Sequence, residues 1–257
     1  MRSIVNLKIF CYSLLMTVKK DISELELETM ALSGVHLGSL RSHSHPKMKP
    51  YVWSGKGFFQ IIDLEKSKEG IANAIEFLVS IKMKGGIILF VGTSLASKDA
   101  TKKIAEDLGM PYVVERWLGG TLTNFLTIKR RIDYLKDLEN KKSLGDFEKY
   151  TKYEASKIEK KITKLRKYLN GLLNLSRLPD VVWVSSGNYD KISAVEAKKK
   201  SIPVVGIVNT NSNPALFDYP IPANDTALSS VILVLDLIRE ALVNVKLKSA
   251  DQDNEHK

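Results

Sequence analysis

One cysteine in 257 residues, Cys11, excludes an internal disulfide and any cysteine-rich four-ligand zinc site. Long apolar runs are missing as well. The longest, Ile9–Val18, is ten residues and already holds Ser13 and Thr17, against the roughly 18–20 that a spanning helix needs, so no membrane partner is expected. The usual catalytic signatures are absent: there is no GxxxxGK followed by Ser or Thr, no GxGxxG, no GxSxG elbow and no HExxH pair. Two turns resemble phosphate loops weakly. Gly92-Thr93-Ser94 reads more simply as a tight strand-to-helix turn, and Gly55-Lys56-Gly57 as a loop. Histidine is scarce, at four residues. Three of them, His36, His43 and His45, cluster beside Arg41, Lys47 and Lys49 with no carboxylates nearby, which suits a polyanion better than a metal. Acidic charge is also short. Lys and Arg number 39 against 29 Asp and Glu, for a net charge of +10. An excess of that size suggests a polyanion partner, and the whole predicts a soluble, basic, non-enzymatic protein of a reducing compartment.

A hydrophobic fraction of 44% is enough for a real core. The charge is localised. Residues 129–168 hold fourteen basic and seven acidic groups, or +7, and leave only +3 for the rest of the chain. In that stretch Phe125, Ile128, Ile132, Leu135 and Leu138 recur at helical spacing. Ala155, Ile158, Ile162, Leu165, Leu169 and Leu172 then form a heptad seam. The polar segment Asn140–Tyr150, with Gly145, separates the two series. This predicts an antiparallel coiled-coil hairpin that buries its seam mainly against itself. Excising Thr123–Leu172 is therefore expected to leave the remainder folded. A solvated helix pair is the plainer reading, and the +7 favours an anion-binding arm.

On either side the rhythm changes. Short Val/Ile-rich runs at Ile87–Val91, Tyr112–Val114, Val181–Val184 and Val204–Val208 alternate with helical stretches at Leu64–Ile81, Ser97–Leu108, Lys191–Lys200 and Thr226–Val243. Continuous apolar strands separated by helices predict a parallel sheet covered on both faces. Gly85-Gly86 and Gly109 stand where helices end, and Asp63 and Asn224-Asp225 where they begin. The predicted division is an N-terminal extension over 1–21, an α/β body over 22–120 and 177–245, a hairpin insertion over 121–176, and a disordered tail over 246–257. The extension reads as a mis-called start, with Met16 as a plausible one, or as disorder, rather than as a targeting segment.

Two polar clusters suit RNA. In residues 34–53 (GVHLGSLRSHSHPKMKPYVW), Arg41, Lys47 and Lys49 offer phosphate contacts and His36, Tyr51 and Trp53 offer stacking surfaces. For Tyr51 and Trp53, packing in a core from a strand is the favoured role. In residues 116–125 (RWLGGTLTNF), Gly119-Gly120 permits a sharp turn, and a helix N-terminus beside Arg116 favours phosphate. The alternative there is a hinge built for geometry alone.

GVHLG, PKMKPYVW, IIDLEKS, ILFVGT, RWLGGTLTN, LPDVVWV, IPVVGIVNTNSNP and IPANDTA follow one another in an order that resembles the bacterial form of the uS2 family of small-subunit ribosomal proteins, from about residue 22 to 240. The resemblance implies an α/β fold: a three-layer α/β/α body with a mainly parallel, flavodoxin-like or Rossmann-like sheet and an inserted coiled-coil hairpin. It implies a cytoplasmic, ribosome-bound structural protein on 16S rRNA between head and body. Its neighbours would be other small-subunit proteins and, in many bacteria, the mRNA-binding ribosomal protein bS1. Carried over position by position, the implied RNA contacts are Arg41, Lys47, Lys49, Arg116, Asn124, Lys129, Arg130 and Arg131. The chain departs from the family at Ser39, His45, Ser185-Ser186-Gly187, Asn209 and Asn213. The last five stand where relatives often carry acids, so neither metal nor cofactor is expected. Two rival readings are a nucleotide-binding α/β enzyme using the strand edge at Gly92 or Asn209, and an off-ribosome interaction protein with a basic coiled-coil arm.

Overall fold

The computed structural model describes residues 27–54, 57–144 and 151–254. The 1–21 extension, the Gly55-Lys56 turn and the 145–150 part of the hairpin loop lie outside them. The described chain opens with α1 (Leu27–Leu32) and three short strands, β1 (Leu37–Leu40), β2 (Val52–Ser54) and β3 (Phe59–Ile62). There follow α2 (Leu64–Met83), β4 (Ile88–Val91), α3 (Lys98–Leu108), β5 (Tyr112–Val113), α4 (Phe125–Ser143) and α5 (Lys152–Leu169). The last elements are β6 (Val181–Val184), α6 (Lys191–Lys199), β7 (Val204–Val208), β8 (Tyr219–Pro222) and α7 (Leu228–Asn254). Among the described residues no helix is long and apolar enough to cross a membrane.

The Val/Ile runs form an all-parallel sheet in the order β5-β4-β6-β7-β8. Alternate side chains leave each strand on opposite faces. Ile88, Phe90, Val181, Trp183, Val205 and Ile207 enter one core with Ile71 and Leu78 of α2, Ile104 of α3, and Val234 and Ile238 of α7. Leu89, Val91, Val182, Val184, Val204 and Val208 enter the other. Helices thus cover both faces, as the α/β reading requires. Local chemistry sets the helix ends. Asp63 accepts from the Glu65 amide at 3.0 Å to start α2, and Gly109, at φ 65°, ends α3. Asn224 accepts from the Thr226 and Ala227 amides just before α7. The backbone stays helical to Asn254, past the 245 boundary where a disordered tail was expected. No Gly or Pro follows Val245 before that point to end it.

The second face has an unusual cover. Ala194 and Ala197 of α6 supply part of it. The rest comes from Met48, Trp117 and Leu122, and from Ile128, Ile132, Leu135, Ile162, Leu169, Leu172 and Leu175 at the hairpin and its root. Helices α4 and α5 run antiparallel, tied by Lys142–Glu159 at 2.8 Å, Arg166–Glu139 at 3.5 Å and Lys161 on the Tyr134 hydroxyl at 2.8 Å. A Thr151–Glu154 capping box starts α5. Burial of the α5 seam is uneven: Ile162, Leu169 and Leu172 are buried, while Ala155, Ile158 and Leu165 are half-buried. The seam does not bury itself mainly against its partner helix, as the spacing suggested. Its proximal residues roof the sheet. Gly171 marks the seat, since a Cβ there would lie 2.2 Å from the Tyr112 carbonyl of β5.

Candidate nucleic-acid interface

In chain order the five parallel strands sit second, first, third, fourth, fifth, which places a topological switch point between β4 and β6. In open sheets of this order, ligands bind outside the strand carboxyl ends at that point. Here the crevice is filled. Thr93 donates its hydroxyl to Asp190 at 2.6 Å and its amide at 3.2 Å. Thr101 and Ser185 hydroxyls meet at 2.8 Å, and Asp225 accepts from Ser186 at 2.6 Å and from Asn209 at 2.7 Å. Burial pushes the Asp190 carboxyl up to about 6 against the opposing Thr93 bonds, and burial likewise raises that of Asp225. Gly92 is required for contact: a Cβ would lie 2.3 Å from the Thr101 hydroxyl. The Gly92-Thr93-Ser94 turn is therefore a packing turn with two internal carboxylates beside it. The Thr93 amide is already engaged, and a phosphate would meet negative groups.

The RWLGGTLTN loop is organised by a residue that the motif search passed over, Glu196 of α6. One carboxylate oxygen accepts from the Trp117 indole at 3.1 Å and the Gly120 amide at 2.8 Å. The other accepts from the Leu122 amide at 3.1 Å, the Thr123 amide at 3.2 Å and the Thr123 hydroxyl at 3.1 Å. Burial alone would raise this carboxyl, but the bonds from Gly120, Trp117, Thr123 and Leu122 outweigh it and hold it below the ordinary value. Gly120, at φ 91°, makes the turn that directs these amides inward. The amides ahead of α4, expected to favour phosphate, are thus occupied by the protein's own carboxylate. The loop is the geometric mount of the hairpin, and any anion contact there falls to exposed side chains.

Those side chains lie in two places. Lys47 and Lys49 flank buried Met48 on a 3-10 turn, Pro46–Tyr51, and both project outward. The turn is held by the Lys47 amide on His45 Nδ1 at 3.2 Å and by the His45 amide on the Thr210 carbonyl at 2.8 Å. Arg41 is exposed on the preceding 3-10 turn. At the hairpin root, Arg116 is exposed. Asn124 takes the N-cap position of α4 without a capping bond to the backbone and accepts instead from the Thr127 hydroxyl at 2.8 Å. Lys129, Arg130 and Arg131 lie between buried Ile128 and Ile132, fully outward, with no carboxylate partner among the described residues. Four other arm cations are engaged: Lys142 with Glu159, Arg166 with Glu139, Lys167 with Glu115, and Lys136 on the Leu173 carbonyl. Tyr51 packs at the edge of the core, but Trp53, expected to do the same, is 73% exposed. It stands on β2 of the small antiparallel sheet, order β1-β3-β2, whose other side meets the body at Thr210.

Comparison with known proteins adds two findings. A family model described as Ribosomal protein S2 matches residues 30–244. Two curated relatives, each named small ribosomal subunit protein uS2, come from Chloroflexus aurantiacus strains J-10-fl and Y-400-fl. Each is 40% identical over 211 residues, covering 82% of this chain and 89% of its own length.

Proposed function

The chain belongs to the ribosomal protein S2 family, and from that premise we propose that it is a structural constituent of the small ribosomal subunit that binds 16S rRNA between head and body. The observation that carries this reading is the family match along residues 30–244. The chemistry of the surface supports it. Lys129, Arg130 and Arg131 fan outward at the hairpin root with no carboxylate partner among the described residues, and Lys47 and Lys49 project from a turn pinned by Met48. Such groups gain affinity by releasing condensed counterions from phosphates and need no catalytic geometry. The polar network at the switch point has no open phosphate cradle, and a small-molecule enzyme gains no support from it.

On this reading the hairpin, residues 121–176, is an rRNA-binding arm mounted by Glu196 on the body, residues 22–120 and 177–245. Its partners are 16S rRNA and neighbouring small-subunit proteins, with bS1 as a further one, and it works in the cytoplasm. Sedimentation with small subunits followed by RNA crosslinking tests this. Crosslinks from Lys129–Arg131 and from Lys47–Lys49 to 16S rRNA are expected. A chain that stays in the soluble fraction, or crosslinks only to protein, refutes it.

A further inference from the structure

Helix α5 is the more basic half of the hairpin. It carries seven cations against two carboxylates, where α4 carries six against three. Lys157, Lys160, Lys161 and Lys164 follow one another at spacings of 3, 1 and 3, which sets them on one face of the helix. All four are exposed, and the face lies away from the seam of Ile158, Ile162, Leu165 and Leu169. From first to last it runs two turns, roughly 10 Å. Both acids of the helix are engaged elsewhere, Glu154 in the capping box with Thr151 and Glu159 with Lys142. None of the four lysines has a carboxylate partner among the described residues.

Two of them are held in a way that keeps their charge. Lys161 donates to the Tyr134 hydroxyl at 2.8 Å with its ammonium 4.7 Å from the centre of that ring, and the Lys157 ammonium lies 4.4 Å from the centre of the Tyr153 ring. A carboxylate would cancel the cation, whereas a tyrosine restrains its rotamers and leaves the full charge. Arg166, Lys142 and Lys167 have the other treatment, each neutralised by a glutamate. A restrained row of uncancelled ammonium groups suits a partner with regularly repeated negative charge. A protein surface fits poorly, because lysine is depleted from such interfaces and the row offers no apolar side chain, Ile158 and Leu165 being turned into the core. An unpaired strand fits poorly too, since its bases stack on bare rings and one face of each tyrosine is already taken. The backbone of paired RNA, contacted through its phosphates, meets both conditions.

We propose that the outer face of α5 is a phosphate rail for duplex RNA, in which Lys157, Lys160, Lys161 and Lys164 contact the backbone while Tyr134 and Tyr153 position two of them. This rests on the reading of the chain as an rRNA-binding protein and adds to it a second contact on the arm, apart from Lys129–Arg131. The full chain is titrated with an RNA duplex of about 16 base pairs, the span of a double-strand-binding domain, at several salt concentrations. Changing the four lysines to Ala should flatten the log–log salt dependence by about three. The melt should stay in place, since the side chains are exposed and Ala favours a helix. Tyr134→Ala combined with Tyr153→Ala should weaken binding about fivefold, the cost of ordering freed lysines, and leave the slope unchanged because the number of cations is the same.

An unchanged slope in the four-lysine variant overturns the rail, and wild-type affinity in the tyrosine variant overturns the positioning role. A photocrosslinker at position 160 reads the same face without disturbing the lysines on either side. In the assembled subunit it should land on a paired segment of 16S rRNA, and a crosslink to protein or to an unpaired segment overturns the inference. Co-sedimentation of the wild-type chain separates the two readings. If it binds subunits but the four-lysine variant keeps the slope, only the rail is refuted. If it does not bind subunits, the rRNA-binding reading itself fails.

Discussion

Replacing Glu196 with Gln tests the mount of the arm with a change of one atom. The carboxylate accepts five hydrogen bonds, two on one oxygen and three on the other. Gln offers one carbonyl. If it faces Leu122 and Thr123, the new amide group confronts the Trp117 indole and the Gly120 amide, neither of which can accept. If it faces those two, the Leu122 and Thr123 amides are stranded, and only the Thr123 hydroxyl can turn to accept. Two buried donors are orphaned either way. At about 1–3 kcal/mol each, the cost is about 2–6 kcal/mol. For a chain of this size that lowers Tm by at least roughly 4 °C. The pH dependence has a fixed sign. The Glu196 carboxyl is held below its ordinary value of 4.5, so its stabilisation is present above that value and is lost as pH falls through the folded one. Thermal melts by circular dichroism at pH 7, with equilibrium unfolding repeated down to the acid range, measure both effects. The gap between wild type and variant should be widest at neutral pH and shrink in acid. A Tm within about 2 °C of wild type at pH 7 would refute the account, as would a gap indifferent to pH. Co-sedimentation should weaken alongside, because the loop that aims α4 has lost its anchor.

Asp190→Asn should act in the opposite direction. The folded carboxyl titrates near 6, above its unfolded value, so its penalty is absent in acid and grows as pH rises through 6. The Asn variant should be more stable than wild type at pH 7.5 by up to about 3 kcal/mol and equal to it near pH 4, which denaturant titrations at the two pH values would measure. Replacing Arg130 and Arg131 with Ala should flatten the log–log salt dependence of rRNA binding by up to about two without moving the melt; an unchanged slope would remove the strip from the interface. Gly206→Ala places a Cβ 2.1 Å from the Val184 carbonyl of the neighbouring strand and should cost about 1–3 kcal/mol in denaturant unfolding. Excision of Glu139–Lys161 with a short linker should preserve a cooperative melt, whereas excision of Thr123–Leu172 should not, since the larger cut removes Ile128, Leu169 and Leu172 from beneath the sheet.

The central strands β4, β6 and β7, and with them the edge strand β5, were legible because each lies in a short Val- or Ile-rich run that is buried on both faces, a pattern that survives without knowledge of its neighbours. Strand β8 was not. Its sequence, Tyr-Pro-Ile-Pro, argues against a strand, and it is tolerated because it lies at the sheet edge with one ladder to satisfy. Strands β1 and β3 were hidden by shortness and by a register shift between Leu37 and Leu40. The site was harder to read. Glu196 sits in Lys-Ile-Ser-Ala-Val-Glu-Ala-Lys-Lys, which reads as a solvated helix, and its five donors lie more than seventy residues earlier in the chain. No local pattern announces a contact of that separation. Trp53 failed differently. Strand membership was visible, but which face of a three-residue strand meets the body depends on Thr210, far along the chain.

The two faces of the main sheet explain why the arm belongs to the fold. One face has three long helices, α2, α3 and α7, while the other has the nine-residue α6. A parallel sheet left half covered would expose Leu89, Val91, Val182 and Val184 to water, at roughly 1.5–3 kcal/mol for each such side chain. Met48, Trp117, Leu122, Ile128, Leu169 and Leu172 close that gap, and every one of them adjoins a segment that carries cations outward: Lys47 and Lys49, Arg116, Lys129–Arg131, Lys167. The residues that complete the core are therefore the ones that fix the basic groups in place. Lysine and arginine side chains lose rotamer freedom on binding, and a root locked into the sheet spares them any backbone ordering beyond it. Loosening the core at Leu122 or Met48 should then weaken docking before it unfolds the chain, because the cations lose their common frame while their number stays the same.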